Sequence, residues 1–316
     1  MIKRFGLFIL VNFAIMFTVM LIVNVLGIRP YLDHSGIHYG SLMAFCLVYG
    51  MAGSFISLLM SKQMAKWMMG LQIVDPGAAY GQERFLLDTV ARLAQTAGLP
   101  KCPEVAVYQS PEVNAFATGP SKRNALVAVS SGLLSSMSTA EVEGVLSHEI
   151  SHIANGDMVT MTLLQGPANT FVYFLARVVA MLIDQFFRSR NDNSSGRGGG
   201  LGFFGYYMVV SLMEMVFFVF ASLVISWFSR QREFRADKGS ANIGGREKMI
   251  RALSKLKVNQ DLRMGMGNVI KTGQSDPKAA FQSLMVSGRK KLGFLQYFST
   301  HPPIEDRIAR LNTIGA

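Results

Sequence analysis

Residues 138–157 read Ser-Thr-Ala-Glu-Val-Glu-Gly-Val-Leu-Ser-His-Glu-Ile-Ser-His-Ile-Ala-Asn-Gly-Asp, and this stretch decides how the chain folds. Ser138 followed three residues later by Glu141 is a capping-box pattern, which opens a helix by satisfying its free N–H groups. Val142, Val145, Leu146, Glu149, Ile150 and Ile153 then share one face, and Asn155-Gly156 ends the helix. On it lies His148-Glu149-Ile150-Ser151-His152, of the form HExxH. The four-residue spacing puts both imidazoles on one side, one turn apart. There they can grip a single Zn²⁺, with Glu149 facing the water that the metal activates. Chance supplies only ~0.0025 such patterns per chain of this length and composition, against the plain alternative of a solvated helix with two unrelated histidines.

A zinc site for catalysis needs a third protein ligand and keeps its fourth position for water. The extended metzincin pattern requires Gly at 155 and His at 158, where this chain has Asn155 and Met158, so that class is excluded. A carboxylate on a second helix remains. Ser229-Arg-Gln-Arg-Glu-Phe-Arg-Ala-Asp237 places Glu233 and Asp237 one turn apart. Glu233 is the expected third ligand and Asp237 the acceptor that fixes a histidine tautomer. The competing reading is a charged helix end beside a membrane.

Working outward, the chain is long and apolar. Of its 316 residues 50% are hydrophobic and 16% charged, with a net charge of +11 and a mean hydropathy of +0.29. Soluble domains carry about 25% charged residues. Intrinsic disorder is excluded by the apolar content, and a disulfide scaffold by a cysteine count of two, Cys46 and Cys102. Residues 5–28 and 39–61 contain no charge, while 158–183 is broken only by Arg177 and 198–229 only by Glu214. At 1.5 Å rise, 24 helical residues reach about 36 Å, enough to cross a hydrocarbon core of about 30 Å. Four transmembrane helices are predicted, against buried core helices for the first pair and partial shielding by protein or water for the second. Glu214 is expected to bond Gln165 or Asn169 across the second hairpin, and Arg177 to snorkel outward. Ser189 to Gly205 reads as a flexible linker.

The charges flanking these spans are Lys3, Arg4, Lys62, Lys66, Arg230, Arg232 and Arg235. They put both termini in the cytoplasm. The basic excess is then a topology signal and a contact with anionic lipid in the bilayer. It is not a nucleic-acid surface, because no aromatic-interleaved basic face is evident. Metal geometry adds a condition: His148 and Glu233 can share an ion only if the chain crosses the membrane an even number of times between them. The expected organisation is a membrane hairpin at 1–61, a cytoplasmic part at 62–157, a second hairpin at 158–229 and a second cytoplasmic part at 230–316. Strands are predicted at 105–108 and 126–129, with an exposed edge near 125–129 able to take an extended peptide. Residues 264–292 lack periodicity and read as a loop: a surface connection first, a lid or self-cleavage site second.

HEISH, the stretch 232–237, Asn114-Ala-Phe-Ala117 and His301-Pro-Pro303 with Arg307 together resemble the HtpX-type membrane zinc metalloproteases, relatives of the CAAX prenyl proteases. The resemblance runs over essentially the whole chain. It implies a mainly α membrane protein with a gluzincin-like α+β zinc protease domain, one Zn²⁺ per chain, and ATP-independent cleavage of misfolded or damaged membrane proteins in quality control and stress response at the cell inner membrane. Carried over by position, it implies His148, His152 and Glu233 as zinc ligands and Glu149 as base. It also implies His301 as oxyanion donor, with Asn114, Ala115 and Arg307 lying along the substrate. A non-catalytic scaffold with a structural zinc is the alternative, disfavoured because such a site needs no base.

Overall fold

The computed structural model describes residues 39–190, 200–270 and 299–313. The span expected over 5–28, most of the linker and residues 271–298 lie outside these. Among the described residues three helical stretches are long and apolar enough to cross a membrane: Gly40–Met69, Asp157–Ser189 and Gly202–Gln260. Cα proximity divides the chain into two compact units, one containing Thr160–Ile225 and the residues up to Ser57, the other Leu58–Val159 and the residues from Ser226 onward.

In the first unit, α1 (Tyr39–Met69) and α5 (Asp157–Arg190) pack through Met43, Cys46, Phe174 and Val178. They approach so closely at Gly50 that a Cβ there would lie 2.7 Å from the Thr170 backbone nitrogen. Small residues of this kind let helix backbones meet where lipid offers no hydrophobic drive. The polar residues pair differently from the sequence expectation. Glu214 of α6 (Gly202–Ser240) accepts from Arg177 at 3.1 Å. The Arg177 guanidinium also lies 5.9 Å from the Phe45 ring centroid and 5.8 Å from that of Tyr173. At membrane depth a carboxylate gains more from a cation than from an amide, so the charge takes the nearest counterion. Gln165 and Asn169 instead line a polar cavity of about 250 Å³ with Gly53, Ser54, Ser57 and Thr162.

The second unit is an α+β domain. Its sheet has strand order β1-β2-β4-β3, built from β1 (Gln72–Ile73), β2 (Glu104–Tyr108), β3 (Ala115–Ser121) and β4 (Asn124–Ser130). β2 and β4 are parallel, and β3 runs antiparallel to β4 with Ala115 opposite Val129. The expected edge at 125–129 is therefore corrected: β4 is internal. Its run Leu126-Val-Ala-Val129 is buried throughout, as a strand covered on both faces must be. The edge is β3. Against this sheet pack α2 (Gly81–Thr96), through Leu86, Val90 and Leu93, and α4 (Thr139–Asn155), through Val142, Leu146, Ile150 and Ile153. The short α3 (Ser131–Ser136) joins β4 to α4.

Helix α4 begins with the capping box of Ser138 and Glu141 and ends at Gly156, whose φ of 66° is left-handed. After α6, a π-helical turn (Ala241–Gly245) leads into α7 (Arg246–Ile270), so residues 264–270 are helical rather than loop. Helices α4 and α7 touch backbone to backbone: a Cβ on Gly144 would lie 2.4 Å from the Lys248 carbonyl oxygen. Gly144→Ala is expected to destabilise the protein by about 1–3 kcal/mol, overpacking outweighing the gain in helix propensity. Thermal melting in detergent checks this. An unchanged or higher melting temperature would mean the two helices separate freely.

Candidate metal centre

Three elements bring the candidate residues together. Helix α4 supplies His148, Glu149 and His152; α6 supplies Glu233 and Asp237; and α8 (Ile304–Thr313), with the residues before it, supplies His301 and Arg307. One ligand atom each from His148, His152 and Glu233 lies within 4.8 Å of the others. The Nε2 atoms of His148 and His152 are 3.1 Å apart. They stand 3.4 and 3.3 Å from Glu233 Oε2 and Oε1 respectively. Glu233 is fully buried.

This donor set fits a metal ion. His148 Nδ1 is 3.0 Å from Asp237 Oδ1, and His152 Nδ1 is 2.7 Å from Asp157 Oδ2. An ionised carboxylate can only accept, so each Nδ1 carries the proton and each Nε2 presents a lone pair. Two lone pairs and a carboxylate then converge on one point, an arrangement that repels unless a cation lies between them. Glu233 Oε1 is buried without a hydrogen-bond partner, as an oxygen reserved for a metal would be.

Outer contacts hold these side chains. Arg307 is buried and donates Nε to Asp237 Oδ2 at 2.8 Å and Nη2 to Oδ1 at 2.6 Å. Burial opposes its charge, but Asp237 foremost, then Glu233 and Glu149, raise its pKa above the ordinary arginine value. The guanidinium is thus turned to Asp237. Burial likewise opposes protonation of His152, yet its bonds to Asp157 and Glu233 and the charge of Glu149 push its pKa up to about 9.

His301 has its Nδ1 2.9 Å from Glu233 Oε2 while most of its ring stays exposed. Arg230 Nη1 donates to the Ser299 carbonyl at 2.9 Å, fastening the segment that carries it. Asn114 precedes the edge strand. Its backbone N–H donates to Ser130 Oγ and its carbonyl accepts from Ser130 N–H, and its side chain is exposed. Ala115 opens β3, which packs beside α4. At the β3–β4 turn Lys122 donates to the Ala154 carbonyl in the last turn of α4. Of these contacts the sequence reading did not single out Asp157. Its signal was present, an acid just past a glycine helix end, but Asp157 closes the part 62–157 where the apolar stretch begins, and no pattern set it apart.

The family model for peptidase family M48 matches residues 82–314. A protease HtpX of Shewanella sp. (strain ANA-3) is 46% identical over 311 residues, covering 98% of this chain and 99% of that protein. The protease HtpX of Chromohalobacter salexigens is 46% identical over 309 residues, with 98% and 97% covered. Among solved structures, Ste24p of S. mikatae aligns with a TM-score of 0.59 at 17% identity, over 99% of this chain and 67% of that one. That likeness carries the fold.

Proposed function

The chain belongs to peptidase family M48, a family of zinc-dependent hydrolases, and on that premise we propose that this membrane-associated metalloprotease cleaves unfolded or damaged membrane proteins on the cytoplasmic side of the cell inner membrane. The observation that carries the reading is the convergence of His148, His152 and Glu233 beside Glu149. In this reading His148 Nε2, His152 Nε2 and a Glu233 carboxylate oxygen hold Zn²⁺. Zinc bound there polarises the scissile carbonyl and lowers the pKa of water toward neutrality.

Glu149 takes one proton from the attacking water and delivers it to the departing amine as the C–N bond breaks. His301 turns a ring N–H toward the carbonyl oxygen as negative charge develops there. Asn114 and Ala115 lead the substrate backbone along the edge strand β3. Pairing by main-chain hydrogen bonds reads extended backbone rather than side chains, which suits unfolded segments of many sequences. Arg307 acts by keeping Asp237 ionised against His148. The flanking basic residues from Lys62 to Arg235 favour a cytoplasmic placement of this machinery.

Purified in detergent, the protein is expected to degrade an unfolded membrane-protein substrate. It should lose that activity when a chelator strips its metal and recover it when zinc is returned. Cleavage that persists in protein with no detectable metal would sink the reading.

A further inference from the structure

His152 and His148 each meet a carboxylate at Nδ1, and the two carboxylates differ in character. Asp237, which meets His148, shares its charge with the Arg307 guanidinium through two hydrogen bonds. Asp157, which meets His152 at 2.7 Å, is only 2% exposed. A carboxylate withdrawn from water must be paired or hydrogen-bonded, and the imidazole supplies that partner. The geometry follows from the local chain. Gly156 takes a left-handed φ of 66° at the end of α4, which turns the backbone so that Asp157, the first residue of α5, comes back against the ring of His152.

Resting on the reading of His152 as a zinc ligand, we infer that Asp157 is a positioning residue for this site. It keeps the His152 proton on Nδ1, fixes the ring so that the Nε2 lone pair faces Glu233 and His148, and through the ring makes Nε2 a stronger donor. Outer partners of metal-bound histidines do this work generally. A plain alternative exists, since a carboxylate in the first turn of a helix is also favoured by the helix dipole. The two roles separate by chemistry. Orienting His152 needs an acceptor oxygen at the length of an Asp side chain. Starting α5 needs only a residue that suits a helix start.

Three variants discriminate: Asp157→Asn keeps the acceptor oxygen without the charge, Asp157→Ser suits the helix start but is too short to reach the ring, and Asp157→Ala removes both. Zinc affinity by chelator competition and the visible spectrum of the Co²⁺-loaded protein are the readouts, with melting temperature as the control for folding. Alanine and serine are each expected to lower zinc affinity by about 10–100-fold and to alter the cobalt spectrum. Asparagine should recover most of both. Wild-type affinity in the serine variant, or an asparagine variant as impaired as alanine, would overturn the assignment. Wild-type protein that binds no zinc would remove the ligand reading itself, a failure visible before any variant is compared.

Discussion

Glu149→Ala is expected to slow peptide hydrolysis by about 10²–10⁴-fold, the range that a positioned general base contributes, while leaving zinc content unchanged. Glu149 occupies the position between the two histidines of α4 and offers no ligand atom to the group formed by His148, His152 and Glu233. Its removal therefore leaves that group complete. The pair of readouts matters more than either alone. Lost activity with zinc retained assigns proton transfer; lost activity with lost zinc would make Glu149 structural. Equal cleavage by wild type and variant would remove Glu149 from the mechanism. Glu149→Gln sharpens the comparison, since the amide matches the carboxylate in size but cannot take a proton.

Replacing Glu233 by alanine should have the opposite signature, with zinc and activity lost together. Glu233 is the carboxylate of the group, and its buried Oε1 lies 3.3 Å from His152 Nε2. Without it two neutral imidazoles remain to hold a dication, and the loss of affinity should exceed the roughly 10–100-fold that removing an outer partner costs. Zinc per chain after dialysis, measured beside peptidase rate, tests this. Zinc retained at the wild-type level would assign the third ligand to another residue.

The centre of the fold was legible because two separate signals agreed there. The capping box at Ser138 and the apolar face through Ile153 located α4 almost to the residue, and the histidine spacing needs only helix periodicity. Strands β2 and β4 were legible from their β-branched runs. The edge strand was not, because Ala115–Ser121 contains Gly119 and Pro120 and its residues are only partly buried. Such a sequence has no alternation to detect, and its place is set by pairing with β4. Partner choice was illegible for the same reason. Depth along a helix placed Gln165, Asn169 and Glu214 at a similar level, but the direction of each side chain around the helix depends on packing. That rotation brought Arg177 to Glu214 instead. Asp157 was hidden by the left-handed turn at Gly156, a reversal that no periodic pattern records.

Arg307 lies 159 residues beyond His148, toward which its guanidinium reaches, and two long apolar helices intervene. Joining pieces so distant in sequence carries a loop-closure entropy that grows slowly with their separation. A growing chain that has made α4 but not α8 holds His148 and His152 without His301 and Arg307. Chain order thus makes His301 and Arg307 the last of these residues to emerge in synthesis, after both long apolar helices.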